Sequence, residues 1–233
     1  LIVLFSGIPI AFGLSFVSIT LLVTFEGLQM LDVFAETFYA GLNSFVLLSI
    51  PMFILMGMAV AHSPAGKDLY TGLDRWLWRV PGGLVISNIG ACSIFAALSG
   101  SSPATCAAIG TMGIPEMRKR GYSDEIATGT IAAGGTLGVL IPPSIVLIVY
   151  GMATGTSIGR LFLSGIIPGF MLASLFAVWA LIHSYFIDKN ASKLLRNRKP
   201  PTLKEKFEVL PRIFPFLAII VGVLYVLYGG VAT

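Results

Sequence analysis

The feature that most constrains this chain is a polar run, Leu98–Thr105, set in the middle of an otherwise apolar stretch. The residues on either side, Val85–Ala97 and Ala107–Ile114, have the composition of membrane-embedded helix. Irregular backbone at membrane depth is tolerated only where it is buried in protein or lines a wet cavity. Because transporters place ions and substrates at such helix breaks, the run constrains both fold and function.

The overall composition assigns the chain to the membrane. Hydrophobic residues make up 56% of its 233 residues and charged residues only 11%, whereas a soluble domain carries about 25% charged residues. We therefore expect an all-α integral membrane protein. The net charge of +4 falls largely in loops and indicates no nucleic-acid partner. The first residue is not methionine, so we also expect a piece of a longer protein.

Apolar runs long enough to span a bilayer, about 20 residues each, divide the chain. We predict spans at Leu1–Thr24, Ser44–Ala61, Leu161–Ile187 and Ile213–Tyr228. The acidic segment Glu26–Leu42 is predicted to be interfacial, and the Lys- and Arg-rich segment 188–212 is predicted to be a polar cytoplasmic loop. In segment 63–82, charged residues alternate with Leu, Tyr and Trp, which favours an amphipathic helix on the membrane surface.

The two arms around the polar run, Gly83–Leu98 and Ala104–Met117, are each short for a full crossing. We therefore predict a re-entrant hairpin with the polar run at its tip. The positive-inside rule supports this topology. The basic clusters at 67–79, 118–120 and 188–212 share the cytoplasmic side only if the hairpin re-enters.

A second interruption, Gly134–Ser144, lies within the apolar segment Ile126–Tyr150 and ends in Ile-Pro-Pro-Ser. Proline lacks a backbone donor and clashes with the preceding helical turn. Two consecutive prolines therefore predict a broken transmembrane helix.

All eleven Asp and Glu residues lie in loops or at the ends of spans, so the predicted membrane interior offers only neutral oxygens. Backbone carbonyls of unwound helix suit Na+, and helix N-termini favour an anionic group. The candidate hydroxyls are those of Ser99, Ser101, Ser102, Thr105, Thr136 and Ser144. Three alternatives are coupling to another cation, an intramembrane serine hydrolase, which would need a base near its nucleophile, and a non-transporting membrane scaffold, which would have no use for paired helix breaks.

The motifs as they stand identify a family. The segment Phe95–Thr105, followed by Ile114–Met117 and then by Ala132–Gly138 running into Leu140–Ser144, resembles the large membrane subunit of TRAP transporters. These are the tripartite ATP-independent periplasmic carriers. The resemblance covers essentially the whole chain and corresponds to the N-terminal half of such a subunit.

The resemblance implies an elevator-type secondary transporter of the bacterial inner membrane, of which this chain is one half of an inverted repeat. By resemblance, residues 1–62 are scaffold helices, 63–82 the amphipathic arm, 83–156 the transport domain, and 157–233 further arm and scaffold helices. The implied partners are a small four-helix membrane subunit, separate or fused, a periplasmic substrate-binding protein, membrane lipid and a carboxylate substrate such as a C4-dicarboxylate or sialic acid.

The resemblance also implies two sets of site residues around the tip and the break. The Na+ set comprises Ser99, Gly100, Ser101, Ser102, Thr105, Gly135, Thr136, Gly138, Ile141 and Pro142. The substrate set comprises Ser101, Ser102, Pro103, Thr136, Pro143 and Ser144. No catalytic residue is implied, and Na+ is the only metal.

Overall fold

The computed structural model describes residues 7–80, 82–186 and 201–228, and every regular element in these ranges is a helix. The predicted all-α fold class is therefore confirmed. The chain divides into two compact units, Leu1–Leu48 and Ser49–Thr233. This division does not test the predicted scaffold, arm and transport segments, which stay predictions.

The first unit contains helix α1 (Ile10–Glu26), helix α2 (Met30–Leu42) and a 3₁₀ turn (Phe45–Leu48). Many of its large apolar side chains are exposed, among them Phe12 at 72% and Phe16 at 65%. An apolar surface of this extent requires lipid or a protein partner rather than water. The predicted first span began at Leu1, whereas the described helix begins after Pro9; residues 1–6 lie outside the described ranges.

The second unit contains nine helices in its described part. They are α3 (Ser49–Ala61), α4 (Ala65–Trp76), α5 (Gly83–Ser99), α6 (Ser102–Lys119), α7 (Asp124–Leu140), α8 (Ile145–Thr154), α9 (Ile158–Phe186), α10 (Leu203–Glu208) and α11 (Leu210–Tyr228). Helices α5 and α6 are the two arms of the predicted hairpin, and α7 with α8 is the predicted broken helix.

Three described segments are long and apolar enough to cross a membrane: Asp124–Thr154, Ile158–His183 and Leu203–Val226. The pair Leu31–Leu42 and Phe45–Ala61 passes the same test only when both are counted together. The span predicted at Ser44–Ala61 therefore consists of a 3₁₀ turn and a helix of 13 residues, and it is long enough only together with Leu31–Leu42.

The polar loop predicted at 188–212 is partly helical. Residues 187–200 lie outside the described ranges, but α10 and the start of α11 occupy the rest. A capping box starts α10: Glu205 accepts from the Thr202 amide at 2.8 Å, and the Thr202 side chain accepts from the amide of Glu205. This reciprocal pair satisfies two donors that would otherwise be unpaired at the start of a helix.

The core of the second unit is the hairpin packed against α7. Phe95 on α5, Ile109 on α6 and Leu137 on α7 are each at most 1% exposed. Cys92 of α5 packs against Gly134, where an added Cβ would lie 3.0 Å from its sulfur. The two arms and α7 therefore form one tightly packed body.

A charged cluster at the base of the hairpin connects this body to the amphipathic helix α4. The Arg120 guanidinium donates to both carboxylate oxygens of Asp74, at 3.1 and 3.2 Å, and to Glu116 at 2.6 Å. The Asp74 side chain is only 9% exposed. Burial lowers the pKa of Arg120, but hydrogen bonds and charge from Asp74, and then from Glu116, outweigh it and raise that pKa.

Candidate functional site at the hairpin tip and the helix break

The hairpin tip is a two-residue connection formed by Gly100 and Ser101. Gly100 ends α5 in the left-handed conformation, with φ of +59°, and its amide donates to the Ala96 carbonyl at 2.9 Å. Such a left-handed glycine is a common way to end a helix. Ser101 then caps α6 by accepting from the Ala104 amide at 3.5 Å, and Pro103 occupies the first turn, where no donor is needed.

Hydroxyl groups hold the tip together from within. The Ser99 and Thr105 hydroxyl oxygens lie 3.1 Å apart, and the Thr105 hydroxyl donates to the Ser101 carbonyl at 2.9 Å. Both side chains are completely buried. Ser99 and Thr105 therefore stabilise the tip as part of its own hydrogen-bond network.

Ser102 differs from these two residues. Its hydroxyl oxygen is buried, yet it has no hydrogen-bond partner within the described part of the chain. An unpaired buried hydroxyl costs free energy unless a ligand or water satisfies it. Ser102 is therefore the tip side chain with an oxygen available to a ligand.

The helix break is shorter than predicted and comprises residues 141–144 only. Gly134, Gly135, Thr136 and Gly138 all lie inside the regular helix α7, so the prediction of irregular backbone from Gly134 onward is wrong. Pro142 and Pro143 end the helix because neither can donate a backbone hydrogen bond. The Ser144 hydroxyl donates to the Val139 carbonyl at 2.7 Å, which satisfies one oxygen freed by the break.

The tip and the break are in direct contact. The Ile145 amide, at the start of α8, donates to the Gly100 carbonyl at 3.1 Å. An added Cβ at Gly100 would lie 2.7 Å from the Pro143 carbonyl oxygen, and one at Gly138 would lie 2.9 Å from the Ser102 amide nitrogen. These glycines allow two backbones to approach closely.

Two predicted residues are exposed. One is Thr136, whose hydroxyl donates to the Ala133 carbonyl of its own helix at 2.6 Å. The other is Pro103, in the first turn of α6. The structure thus brings Gly100, Ser101 and Ser102 next to Gly138 and Pro143; whether these residues bind Na+ or substrate stays a prediction.

The sequence pattern missed one contact at the tip. Gly57 of α3 packs directly on the tip, because an added Cβ there would lie 3.0 Å from both Cα and Cβ of Ser99. Away from the tip, Asn88 of α5 is completely buried and makes an interhelical hydrogen bond, donating to the Met117 sulfur of α6 at 2.7 Å. An added Cβ at Gly113 would lie 2.5 Å from the Asn88 Oδ1, so this glycine gives the amide its space.

The described residues contain no cluster of three or more His, Cys, Asp or Glu side chains that could hold a metal ion. Any cation at the tip would therefore be bound by neutral oxygens. Such ligands suit a hard monovalent ion, as they do at the unwound helices of transporters.

Comparison with known proteins shows the family of the chain. The family profile described as the tripartite ATP-independent periplasmic transporter, DctM component, matches residues 1–233. The C4-dicarboxylate TRAP transporter large permease protein DctM of Vibrio cholerae is 39% identical over 229 residues, which cover 97% of this chain and 49% of the relative.

Two further relatives match over most of the chain. The isethionate TRAP transporter permease protein DctMQ of Oleidesulfovibrio alaskensis is 36% identical over 97% of this chain and 35% of the relative. The sialic acid TRAP transporter large permease protein SiaM of Vibrio cholerae is 32% identical over 88% of this chain and 48% of the relative. The chain spans about half or less of the length of these relatives. It belongs to the DctM component family of the tripartite ATP-independent periplasmic transporters.

Proposed function

We propose that the full-length permease containing this chain couples uptake of a small organic anion to Na+ entry across the bacterial inner membrane. In this proposal a periplasmic binding protein delivers the substrate, and a small four-helix membrane subunit completes the permease. Members of the family are transporters and not enzymes, so the alternative of an intramembrane serine hydrolase is excluded.

The observation that carries the proposal is the contact between the hairpin tip and the helix break. Both interruptions bring neutral oxygens together, and no Asp or Glu occurs between Gly83 and Pro115 or between Ile126 and Phe186. Proton-coupled carriers commonly use intramembrane carboxylates or histidines as relays. A tip rich in hydroxyls and carbonyls, with the Ser102 oxygen available, favours Na+ as the coupling ion.

Two helix N-termini converge beside these oxygens. Helix α6 begins at Ser102 and α8 begins at Ile145, and the hydrogen bond between Ile145 and Gly100 joins the two starts. The N-terminus of a helix carries a partial positive charge and free amide donors, which together favour anions. An anionic substrate placed here would lie next to a cation bound at the tip, so the two ligands would stabilise each other.

We further propose an elevator mechanism in which the hairpin and the broken helix move together. The tight packing of α5, α6 and α7 supports motion of these helices as one body. The first unit and the long helices α9 and α11 are the proposed scaffold and connecting arms. The second half of the inverted repeat is expected in the rest of the full-length permease.

The names of three relatives support the proposed substrate class. Their names specify C4-dicarboxylate, isethionate and sialic acid, which are all small organic anions. Isethionate carries a sulfonate rather than a carboxylate, so anionic charge is the property these substrates share. Two helix N-termini recognise charge in this general way. A carrier of the same fold coupled to a different cation is the second candidate, because neutral oxygens also bind Li+ and K+.

The test is uptake into proteoliposomes that hold the full-length permease and its small subunit, with the binding protein outside. Labelled succinate, sialic acid and isethionate are offered in parallel, each with an inward gradient of Na+, K+ or Li+. The proposal predicts accumulation of one substrate, with the Na+ gradient and the binding protein both required. Accumulation that is equal without Na+ would refute the coupling.

A further inference from the structure

A cluster of cations and aromatic rings lies where the amphipathic helix meets the last span. The Arg79 guanidinium carbon is 5.2 Å from the centre of the Trp78 ring. The Lys206 ammonium is 5.9 Å from the Trp76 ring and 6.0 Å from the Trp78 ring, and Phe207 packs edge-on against Trp76. Cations at these distances are attracted to the faces of aromatic rings. We name Trp76, Trp78, Arg79 and Lys206 the interfacial cluster.

The position of the interfacial cluster relative to the bilayer follows from the apolar segment that contains α10 and most of α11. Lys206 lies in the first turns of the apolar segment Leu203–Val226, which is long enough to cross the membrane. The end of a spanning segment lies at the boundary between hydrocarbon and water, where Trp is enriched. The interfacial cluster is therefore at the height of the lipid headgroups.

The amphipathic helix α4 is held against this end of the span. Arg75 donates to the Glu205 carbonyl at 2.8 Å, and Arg212 lies 3.7 Å from the Asp68 carboxylate. Gly72 faces Ile213 with no room for a side chain between them. These contacts give the two tryptophans a fixed position beside Lys206.

The charges around the cluster leave an excess of positive charge. Asp68 and Glu208 both pair with Arg212, and Glu205 accepts from the Thr202 amide in the capping box. Within the described ranges no carboxylate lies within ion-pair distance of Arg79 or Lys206, and Arg79 is exposed. Two cations thus face the headgroup region without an anionic partner from those ranges.

We propose that the interfacial cluster binds the headgroup of an anionic phospholipid. In this proposal the phosphate pairs with Arg79 and Lys206, and the indole rings contact the glycerol region and the start of the acyl chains. A cation near an anionic membrane surface contributes about a fivefold gain in partitioning. The proposal concerns a lipid site on the amphipathic arm and does not depend on which ion or substrate the permease carries.

The experiment uses the full-length permease in nanodiscs of equal parts phosphatidylglycerol and phosphatidylcholine, with bromine on the acyl chains of one lipid or the other. Subtracting the fluorescence of the Trp76→Phe/Trp78→Phe variant isolates the emission of the two indoles. We expect brominated phosphatidylglycerol to quench this emission at about 25-fold lower mole fraction than brominated phosphatidylcholine, because each of the two cations contributes about fivefold. Raising the salt concentration should reduce the difference, because it screens charge.

The deciding variant is Arg79→Gln/Lys206→Gln, which removes both cations and retains the rings. Its quenching by the two lipids should become equal. The matched control, Arg118→Gln/Lys119→Gln, removes the same charge from exposed positions at the hairpin base and should keep the wild-type preference. Equal quenching by both lipids in the wild type would overturn the proposal, as would a preference that persists in Arg79→Gln/Lys206→Gln.

One further measurement distinguishes a lipid site from a general phosphate site. Soluble glycerol phosphate, added at millimolar concentration, should not relieve quenching by brominated phosphatidylglycerol. Relief by the soluble compound would show a phosphate site that needs no membrane and would contradict the lipid assignment.

Discussion

The substitution Gly138→Ala tests the contact between helix α7 and the hairpin tip. A Cβ added at Gly138 would lie 2.9 Å from the Ser102 amide nitrogen, 3.0 Å from the Ser101 carbonyl carbon and 3.1 Å from the Ser102 Cα. All three atoms belong to backbone, so no side chain can rotate away. The tip or the helix itself must move to accommodate the methyl group.

The magnitude follows from the distances. Ordinary van der Waals contact begins at 3.4 Å, so the tip backbone must retreat by about half an ångström. Overpacking of a tight core costs about 1–3 kcal/mol. Replacing Gly by Ala inside a helix also contributes about 1 kcal/mol of stability through helix propensity. Gly129→Ala in the same helix, where an added Cβ meets nothing within 4 Å, isolates that propensity gain.

The assay compares the two alanine variants in the full-length permease. Thermal unfolding in detergent and substrate uptake in proteoliposomes are measured for both. We expect Gly138→Ala to be less stable than Gly129→Ala by about 1–3 kcal/mol. Uptake should fall in Gly138→Ala and stay near wild type in Gly129→Ala, because only the first variant displaces Ser101 and Ser102. Equal stability and equal uptake of the two variants would refute the packing described at the tip.

Three further predictions concern the hydrogen bonds and close contacts of the hairpin. Asp74→Asn should destabilise the permease in thermal unfolding by about 2–3 kcal/mol, because it leaves the Arg120 cation without its main partner; adding Arg120→Met should restore much of the loss. Gly113→Ala should destabilise by about 1–3 kcal/mol by overpacking, and Asn88→Ala in the same chain should relieve the clash, with a coupling energy of about 1 kcal/mol. Ser99→Ala should weaken the Na+ dependence of uptake, because the Ser99 hydroxyl bonds to Thr105 and orders the tip.

Matched controls accompany these variants. The Arg118–Asp124 pair has side chains 55% and 67% exposed, so Asp124→Asn should change stability by less than about 1 kcal/mol. Cys92→Ala, in the same hairpin arm as Ser99, should leave the Na+ response of uptake at its wild-type value. A loss of stability in Asp124→Asn equal to that in Asp74→Asn would contradict the importance assigned to burial. A wild-type Na+ response in Ser99→Ala would contradict the role assigned to the tip.

Local chemistry explains which parts of the fold the sequence predicted. The hairpin arms were predicted at Gly83–Leu98 and Ala104–Met117 and occur at Gly83–Ser99 and Ser102–Lys119. Apolar composition predicts where the two helices of the hairpin lie. Their ends follow from the preferences of Gly100, Ser101 and Pro103 for helix termini. The Pro142-Pro143 pair predicted the break by the same local reasoning.

Tertiary contacts explain what the sequence did not predict. Gly134, Gly135 and Gly138 suggested irregular backbone, yet all three lie in regular helix. Their lack of a side chain instead makes room for Cys92, Cys106 and Ser102, respectively. The pairing of Asp74 with Arg120 joins residues 46 positions apart, which no local pattern reveals. The exposed position of Thr136 likewise depends on how α7 is rotated against the hairpin.

The central claim is that the tip, in contact with the break, binds the coupling ion. The most direct measurement is the Na+ concentration that gives half-maximal uptake in Ser102→Ala, compared with wild type and with Ser93→Ala. Ser93 lies in the other arm of the hairpin, α5, and its hydroxyl donates to the Ile89 carbonyl at 2.7 Å. The account predicts a rise of about fivefold in Ser102→Ala, equivalent to the loss of one oxygen ligand of about 1 kcal/mol, and no change in Ser93→Ala. An unchanged half-maximal Na+ concentration in Ser102→Ala would contradict the claim.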